Sequence, residues 1–283
     1  MPPRTTPTER QRRLGSELRK MRLAAGITAD QAAGLLGLDR AKISNIETGI
    51  RAISPERVRT LACNSDCSDR AYVEALVGMA RPNGRGWWER YRGALSPGLL
   101  DIAEFEASAT RMRTAHISHI PGLLQTSDHA LELFRAVLPP LPEHEVALRL
   151  AYRVERQQVL EGENPPEYVA VVHEAALRMQ FGGPKVARGQ LDHLLTVSER
   201  PAVRLLVIPF AGGTFPGSGQ TFNYLEGPVP QLDTVQIDST HGPEFLAGEA
   251  QLAKYRTHLD WMERIAASPE DSRAFIQDIA SSL

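Results

Sequence analysis

Residues 26–49 carry the most regular pattern of apolar and polar positions in the chain. Two apolar stripes recur there at helical spacing, made of Ala32, Ala33 and Leu36, then of Ile43 and Ile46. Thr28 and Asp39 each precede a stripe, where a side-chain oxygen accepts hydrogen bonds from the unpaired amides of a helix start. Gly37 lies between the stripes and suits a tight turn. The pattern predicts two short amphipathic helices joined by a turn.

The second of these helices presents a polar face opposite its apolar stripe. That face consists of Arg40, Ala41, Lys42, Ser44 and Asn45. Donor-rich side chains of short to medium length read base edges in the DNA major groove, which favours a helix-turn-helix. An αα-hairpin that only packs a helical bundle is the alternative interpretation.

The sequence on both sides of this hairpin favours the DNA-binding interpretation. Apolar spacing predicts a preceding helix from about Thr8, Ser54-Pro55-Glu56 starts a following helix, and another spans 68–80. Residues 1–62 hold 12 lysines and arginines against 6 acidic residues, whereas the rest of the chain carries a net charge of −8. Basic charge is what phosphate contact requires. We therefore expect a disordered basic arm at 1–8 and an all-α DNA-binding domain of five helices at 9–80.

The same segment resembles the Cro/repressor-type helix-turn-helix family, also called the xenobiotic-response-element family. The matching positions are Leu14, Gly15, Leu18, Arg22, Gly26, Thr28, Ala33, Gly37, Ile43, Ser44, Glu47 and Gly49. The resemblance covers about the first quarter of the chain and implies double-stranded DNA as a partner. Members often carry glutamine after the threonine that opens the second helix, where it supports the recognition helix and touches a phosphate. Ala29 occupies that position here, so either that contact is missing or Thr28 and the helix N-terminus make it alone.

Side-chain chemistry and the resemblance together assign roles to individual residues. The predicted base contacts are Arg40 to guanine and Asn45 to adenine, followed by Lys42 and Ser44. The predicted phosphate contacts are Thr28, Arg51 and Arg22. Arg22 has an alternative role, because it can instead pair with Glu47 across the domain core.

The remaining chain mixes helical and extended patterns. Proline and glycines predict a hinge at 81–86 within a linker at 81–98, which includes Trp87-Trp88 and Tyr91. Such an aromatic cluster more often packs a linker than clamps a base or ligand. Residues 99–113 are predicted to be helical, and residues 167–173, 201–210, 221–227 and 233–238 to be strands. We expect an α+β domain at 99–283 that regulates or binds a partner.

The second half resembles the C-terminal domain that follows helix-turn-helix domains in a large actinobacterial regulator family. The matching segments are 120–130, 153–160, 173–178, 203–210, 219–225 and 271–276. Asp238 stands where the family usually has glutamate, and His173 where it usually has aspartate. Members are commonly encoded beside a small partner protein and have been likened to antitoxins. The resemblance implies that the acidic second domain holds such a partner or a ligand.

A partner or ligand surface is predicted in this domain at Gln125, Arg153, Arg156, Gln157 and Glu174. The alternative is that the polar residues of 153–158 satisfy one another along a solvated helix face. We expect no enzyme, metal or cofactor. The His116–His119 pair lacks a neighbouring carboxylate, Cys63 and Cys67 lack histidine partners, and the glycines of 212–214 and 217–219 are followed by a strand, as in a hairpin loop.

The sequence as a whole predicts a cytoplasmic regulator. No run of eighteen apolar residues is present, and the polar first residues do not resemble a secretory signal. We expect a sequence-specific DNA-binding transcriptional regulator, as a homodimer on a pseudo-palindrome. The alternative is an antitoxin-like protein that mainly sequesters a small protein encoded by a neighbouring gene and binds DNA for autoregulation. A ligand sensor is the third possibility.

Overall fold

The structure is a computed structural model that describes residues 6–81, 86–212, 215, 219–239 and 241–283. Two compact units are present. The first comprises Met1–Arg92, Ser96–Phe105 and Pro228–Leu232, and the second comprises Gly93–Leu95, Glu106–Gly227 and Asp233–Leu283. The predicted arm at 1–8, the hinge at 81–86 and the glycine loops at 212–214 and 217–219 lie wholly or partly outside the described residues.

The first unit begins with a run of short helices. They are α1 (Glu9–Ala24), α2 (Ala29–Leu36), α3 (Arg40–Glu47), α4 (Pro55–Asn64) and α5 (Arg70–Ala80). The unit also contains a 3-10 helix at Trp87–Tyr91, the residues of α6 (Pro97–Ser108) up to Phe105, and the segment 228–232. The prediction of five helices is therefore incomplete. Val229 and Leu232 are buried in the same core as α1–α5, and no local pattern predicts a core contribution from so far along the chain.

Helix starts in this unit are fixed by the side chains that the sequence indicates. Thr28, Asp39 and Ser54 each accept a hydrogen bond from the third residue of the helix that follows. Gly37 closes α2 with a φ of +62°, a conformation that other residues adopt at a cost. These caps set the turn between α2 and α3.

Helix α1 crosses α3 at close range because Gly15 has no side chain. A Cβ at this position would lie 2.4 Å from the carbonyl oxygen of Ile46 and 2.6 Å from that of Glu47. Leu18 and Val58 belong to the core of the same unit and are almost completely buried. Packing against α1 therefore fixes the orientation of α3.

The second unit is built on a six-stranded mixed sheet of order β3-β2-β1-β4-β5-β6. Its strands are β1 (Arg111–His116), β2 (Glu167–His173), β3 (Val203–Ile208), β4 (Phe222–Glu226), β5 (Thr234–Ser239) and β6 (Gly242–Leu246). Pairing is parallel from β3 to β1 and antiparallel from β1 to β6. The helices of this unit after α6 are α7 (Ser127–Arg135), α8 (Glu143–Arg156), α9 (Glu174–Arg178), α10 (Pro184–Val197), α11 (Glu249–Ile265) and α12 (Pro269–Ser281). The expected combination of helices and a sheet is confirmed.

One predicted helix is wrong at its end. Residues 99–113 are not continuously helical, because α6 stops at Ser108 and β1 begins at Arg111. The central strand β1 is difficult to recognise in the sequence, because the charged residue Arg113 lies at a buried position of the strand. Its guanidinium is neutralised by Asp260 and Glu263 of α11, each 2.6 Å away.

The two faces of the sheet differ in chemistry. On one face, Ala115, Val171 and Phe222 belong to an apolar core that also contains residues of α11. On the other face, Thr114 lies opposite Asn223 and Asn223 lies opposite Gln236, so three polar side chains cross β1, β4 and β5 in register. Within the described residues, none of the helices is long and apolar enough to cross a membrane.

Candidate nucleic-acid interface

Helix α3 is held by its apolar side and leaves its polar side exposed. Ile43 and Ile46 are buried, whereas Arg40, Ala41 and Ser44 are exposed. Asn45 and Lys42 are half-buried. The residues predicted to contact bases therefore lie on one short helix, away from the core.

The two cations on α3 are paired with exposed carboxylates. Arg40 Nη1 lies 3.6 Å from the Asp30 carboxylate, and the Arg40 side chain is 74% exposed. Lys42 Nζ lies 2.6 Å from Asp39, and this hydrogen bond lowers the pKa of the Asp39 carboxyl. Exposed ion pairs contribute little stability, so both cations can exchange these partners for phosphate or base oxygens.

Thr28 lies where α2 begins and takes part in a reciprocal cap. Its hydroxyl accepts a hydrogen bond from the Gln31 amide at 3.2 Å, and Gln31 Oε1 accepts one from the Thr28 amide at 2.8 Å. This role of Gln31 was missed in the sequence analysis, although threonine followed three residues later by glutamine is the signature of a capping box. Because Ala29 has no polar side chain, only Thr28, Gln31 and the backbone amides provide polar groups at the start of α2.

Arg51 follows α3 and is exposed. Its amide donates to the carbonyl oxygen of Asn45 at 2.9 Å, which fixes the chain just after the recognition helix. The guanidinium is predicted to contact a phosphate, and its exposed position is compatible with that role.

Arg22 does not belong with the phosphate contacts. Its Nε and Nη2 atoms lie 2.5 and 3.0 Å from the two carboxylate oxygens of Glu47, and Nη1 donates to the carbonyl oxygen of Ile27 at 2.7 Å. Both side chains of this pair are buried, at 8% and 10% exposure. The alternative role holds, because a guanidinium buried in a bidentate ion pair joins α1 to α3 and is turned away from solvent.

Arg57 is a further residue that the sequence analysis missed. Its Nε donates to the carbonyl oxygen of Leu36 at 3.1 Å, so a side chain from α4 satisfies the last turn of α2. In the sequence, a basic residue shortly after a helix-turn-helix is only weak evidence for this contact. The hydrogen bond forms only because α4 folds back onto the end of α2.

The residues predicted as a partner or ligand surface divide into three groups. Arg153 Nη1 donates to Gln125 Oε1, and the Gln157 amide donates to the Gln125 carbonyl oxygen at 2.7 Å. Arg156 pairs with buried Glu106 at 2.7 Å. Glu174 accepts from the Phe210 amide at 2.7 Å and from Arg178 at 2.6 Å, contacts that it shares with none of the other four. The polar ladder along 153–158 is therefore wrong, because Arg153, Arg156 and Gln157 bond to other segments.

Other candidate chemistry is also placed by the structure. Cys63 and Cys67 are free thiols. In the part of the chain that the structure describes, no three histidine, cysteine, aspartate or glutamate side chains are grouped to hold a metal ion.

The aromatic cluster of the predicted linker is packed. Trp87 lies edge-on against Trp88 and Tyr91, and Trp88 and Tyr91 are buried, which agrees with a packing role for this cluster.

Two family models match the chain. Residues 13–63 match a helix-turn-helix domain, which spans α2 and α3 and the helices on either side. Residues 99–278 match a domain of unknown function, DUF5753. Comparison with curated proteins gave no match. Because this second model covers well over half of the residues, the chain belongs to the DUF5753 family and carries a helix-turn-helix domain ahead of the family domain.

Proposed function

We propose that the protein is a sequence-specific DNA-binding transcriptional regulator of the Cro/repressor type. The single observation that carries this proposal is α3, whose polar face holds exposed Arg40 and Ser44 and half-buried Asn45, while its apolar face is packed in the core. The α2 start at Thr28 and the exposed Arg51 flank that face. The net charge of +6 over residues 1–62 supplies attraction to the phosphate backbone.

Dimerisation, location and origin are part of the same proposal. A helix of two turns reads only a few base pairs, and regulators of this class gain affinity by placing two copies on a pseudo-palindrome. We propose a homodimer that acts in the cytoplasm, where operator DNA is present, and an actinobacterial origin that rests on the resemblance. No catalytic role is proposed for either unit.

The second unit is proposed to bind a small partner protein or a ligand. The net charge of −8 beyond residue 62 disfavours contact with DNA, so we assign DNA reading to the first unit alone. An antitoxin-like protein that mainly sequesters a neighbouring gene product is the second candidate. Co-purification of the full chain with that product, with DNA affinity measured before and after, separates the two.

Selection of binding sites from a random duplex library tests the DNA-reading proposal. The unaltered chain should enrich a pseudo-palindromic consensus. Arg40→Ala should relax the preference at one position per half-site, at a cost of roughly 1–3 kcal/mol. An unchanged consensus for Arg40→Ala would show that Arg40 does not read a base.

Salt dependence tests the phosphate contact. Arg51→Ala should weaken binding to all sequences about equally and reduce the slope of log affinity against log salt by about one. Arg59→Ala is the matched control, because Arg59 is an exposed arginine of α4 that pairs with Glu74 and is not assigned to DNA. Equal slopes for Arg51→Ala and the unaltered chain would remove Arg51 from the interface.

A further inference from the structure

Arg40 stands at an unusual place for a cation. It is the first residue of α3, directly after the Asp39 cap, and its side chain is largely exposed. The unpaired amides of a helix start make that end electropositive, so the helix itself disfavours a guanidinium there. An arginine side chain also has many rotamers. Both effects leave the position of this guanidinium undefined unless a second element holds it.

Asp30 of α2 supplies that second element. Its carboxylate lies 3.6 Å from Arg40 Nη1, so the pair joins the two helices of the helix-turn-helix. Asp30 is in the first turn of α2, where the positive end of that helix favours a carboxylate. The hydrogen bonds that cap α2 are made by Thr28 and Gln31. Asp30 is therefore not needed as the cap, and its carboxylate is available to Arg40.

The other ion pair on this face has a simpler explanation. Lys42 Nζ lies 2.6 Å from the Asp39 carboxylate, and Asp39 also accepts a hydrogen bond from the Lys42 amide at 2.8 Å. Asp39 is the cap of α3, so helix capping alone accounts for a carboxylate beside Lys42. Asp30 belongs to a different helix from Arg40, and capping does not account for that contact.

Base reading does not require Arg40 to give up Asp30. A guanidinium has five N–H donors, and guanine takes two of them at O6 and N7. At 3.6 Å the contact is an ion pair beyond hydrogen-bond length, so it engages none of these donors in a hydrogen bond. A carboxylate beside the guanidinium also weakens its attraction to phosphates, which carry no sequence information. The pair therefore favours a base over the DNA backbone.

We propose that Asp30 is a positioning residue for base reading, which holds the Arg40 guanidinium on a guanine and away from neighbouring phosphates. This inference deepens the proposed DNA-reading function and rests on it. It requires a guanine at one position of each operator half-site, and it assigns discrimination at that position to α2 as well as to α3. The competing explanation is that Asp30 is an exposed acidic residue that only repels DNA.

Asp30→Asn tests the proposal, because this change removes the charge and keeps the shape. The Asp30 side chain is 69% exposed, so the substitution leaves the core intact. The full-length chain is titrated with duplexes that carry each of the four bases at the consensus position that Arg40→Ala relaxes. The preference for guanine should fall about twofold to tenfold, the range expected when one flexible side chain is no longer ordered in advance.

A second readout separates positioning from repulsion. In Asp30→Asn, Arg40 is free to contact phosphates, so affinity for duplexes without the consensus should rise while the preference for guanine falls. The slope of log affinity against log salt should become steeper for the same reason. In an Arg40→Ala background, Asp30→Asn should have no further effect on base preference, because the side chain that it positions is absent.

Two further variants serve as rescue and control. Asp30→Glu should retain most of the preference for guanine, because it keeps a carboxylate that can reach Arg40. Asp66→Asn is the matched control, since Asp66 is exposed, lies between α4 and α5, and has a φ of +49° that asparagine tolerates. It removes the same charge from the same unit and should leave the preference for guanine unchanged.

Two results would overturn the role of Asp30. One is an unchanged preference for guanine in Asp30→Asn with an equal gain of affinity for all duplexes, which would leave Asp30 as a repulsive charge only. The other is an equal loss of preference in Asp66→Asn, which would assign the effect to net charge. If the unaltered chain enriches no consensus, both proposals fail. If it enriches one that depends on Arg40 but not on Asp30, only the role of Asp30 fails.

Discussion

The buried pair between Arg22 and Glu47 gives the sharpest energetic prediction. Arg22→Met keeps an apolar stem of similar length in the core but leaves the Glu47 carboxylate buried without its partner. Three contacts are lost, two to Glu47 and one to the Ile27 carbonyl oxygen. Because breaking a buried ion pair leaves an uncompensated charge, we expect the free energy of unfolding of the first unit to fall by about 3–5 kcal/mol.

Hydrogen exchange in urea is the suitable assay, because a chain of two units need not unfold in one step. Amides of α1 and α3 should lose protection in Arg22→Met, and operator affinity should fall because the pair fixes α3 to α1. The double variant Arg22→Met with Glu47→Met should recover much of the loss, since it buries no charge.

The exposed pair of Arg59 and Glu74 supplies the control. Arg59→Met should change protection in α1 and α3 very little, because both side chains of that pair are largely exposed. The reasoning is refuted if Arg22→Met costs no more than Arg59→Met, or if the double variant is less stable than Arg22→Met.

Two further predictions concern packing and protonation. Gly15→Ala should destabilise the first unit by about 1–3 kcal/mol in urea unfolding, because its Cβ would meet backbone oxygens of α3. Gly34→Ala is the control and should be neutral or stabilising, because a Cβ there would meet open space. Equal effects of the two substitutions would contradict the close crossing of α1 and α3. The second unit should lose roughly 1–2 kcal/mol of stability per buried histidine between pH 7 and 5. Burial lowers the pKa of His116 to about 3 and that of His129 to about 4, below the ordinary value of 6.5, so the unfolded state binds more protons in this range. His129→Phe should flatten this pH dependence, and an unchanged slope in hydrogen exchange of α7 would exclude His129 as its source.

The recognition helix could be predicted because its signals are local. Thr28, Asp39 and Ser54 cap helices within three residues of their own positions, and the apolar stripe of α3 needs no distant partner to be recognised. The choice between a phosphate and Glu47 for Arg22 stayed open in the sequence because it depends on how α1 crosses α3.

The second unit was more difficult to predict from the sequence, because its residues contact partners that lie far away along the chain. The charge of Arg113 makes β1 look like a helix end, and its partners lie about 150 residues later in α11. Gln125 and Arg153 were predicted to lie on one surface, and they are hydrogen-bonded to each other. Glu174 was predicted on the same surface but instead accepts a hydrogen bond from the Phe210 amide. No spacing in the sequence indicates that His129 is buried beside Phe181.

The segment 228–232 has a consequence for how this protein can be divided or recombined. Val229 and Leu232 complete the core of the first unit, Arg13 donates to the Gln231 carbonyl oxygen at 2.5 Å, and the Gln231 side chain donates to Asp69 at 3.0 Å. A gene fragment that ends at residue 92 would encode a DNA-reading unit with part of its interior missing. The helix-turn-helix unit of this chain therefore cannot be transferred alone. A chimaera must retain segment 228–232, which connects β4 to β5, or include a replacement for it.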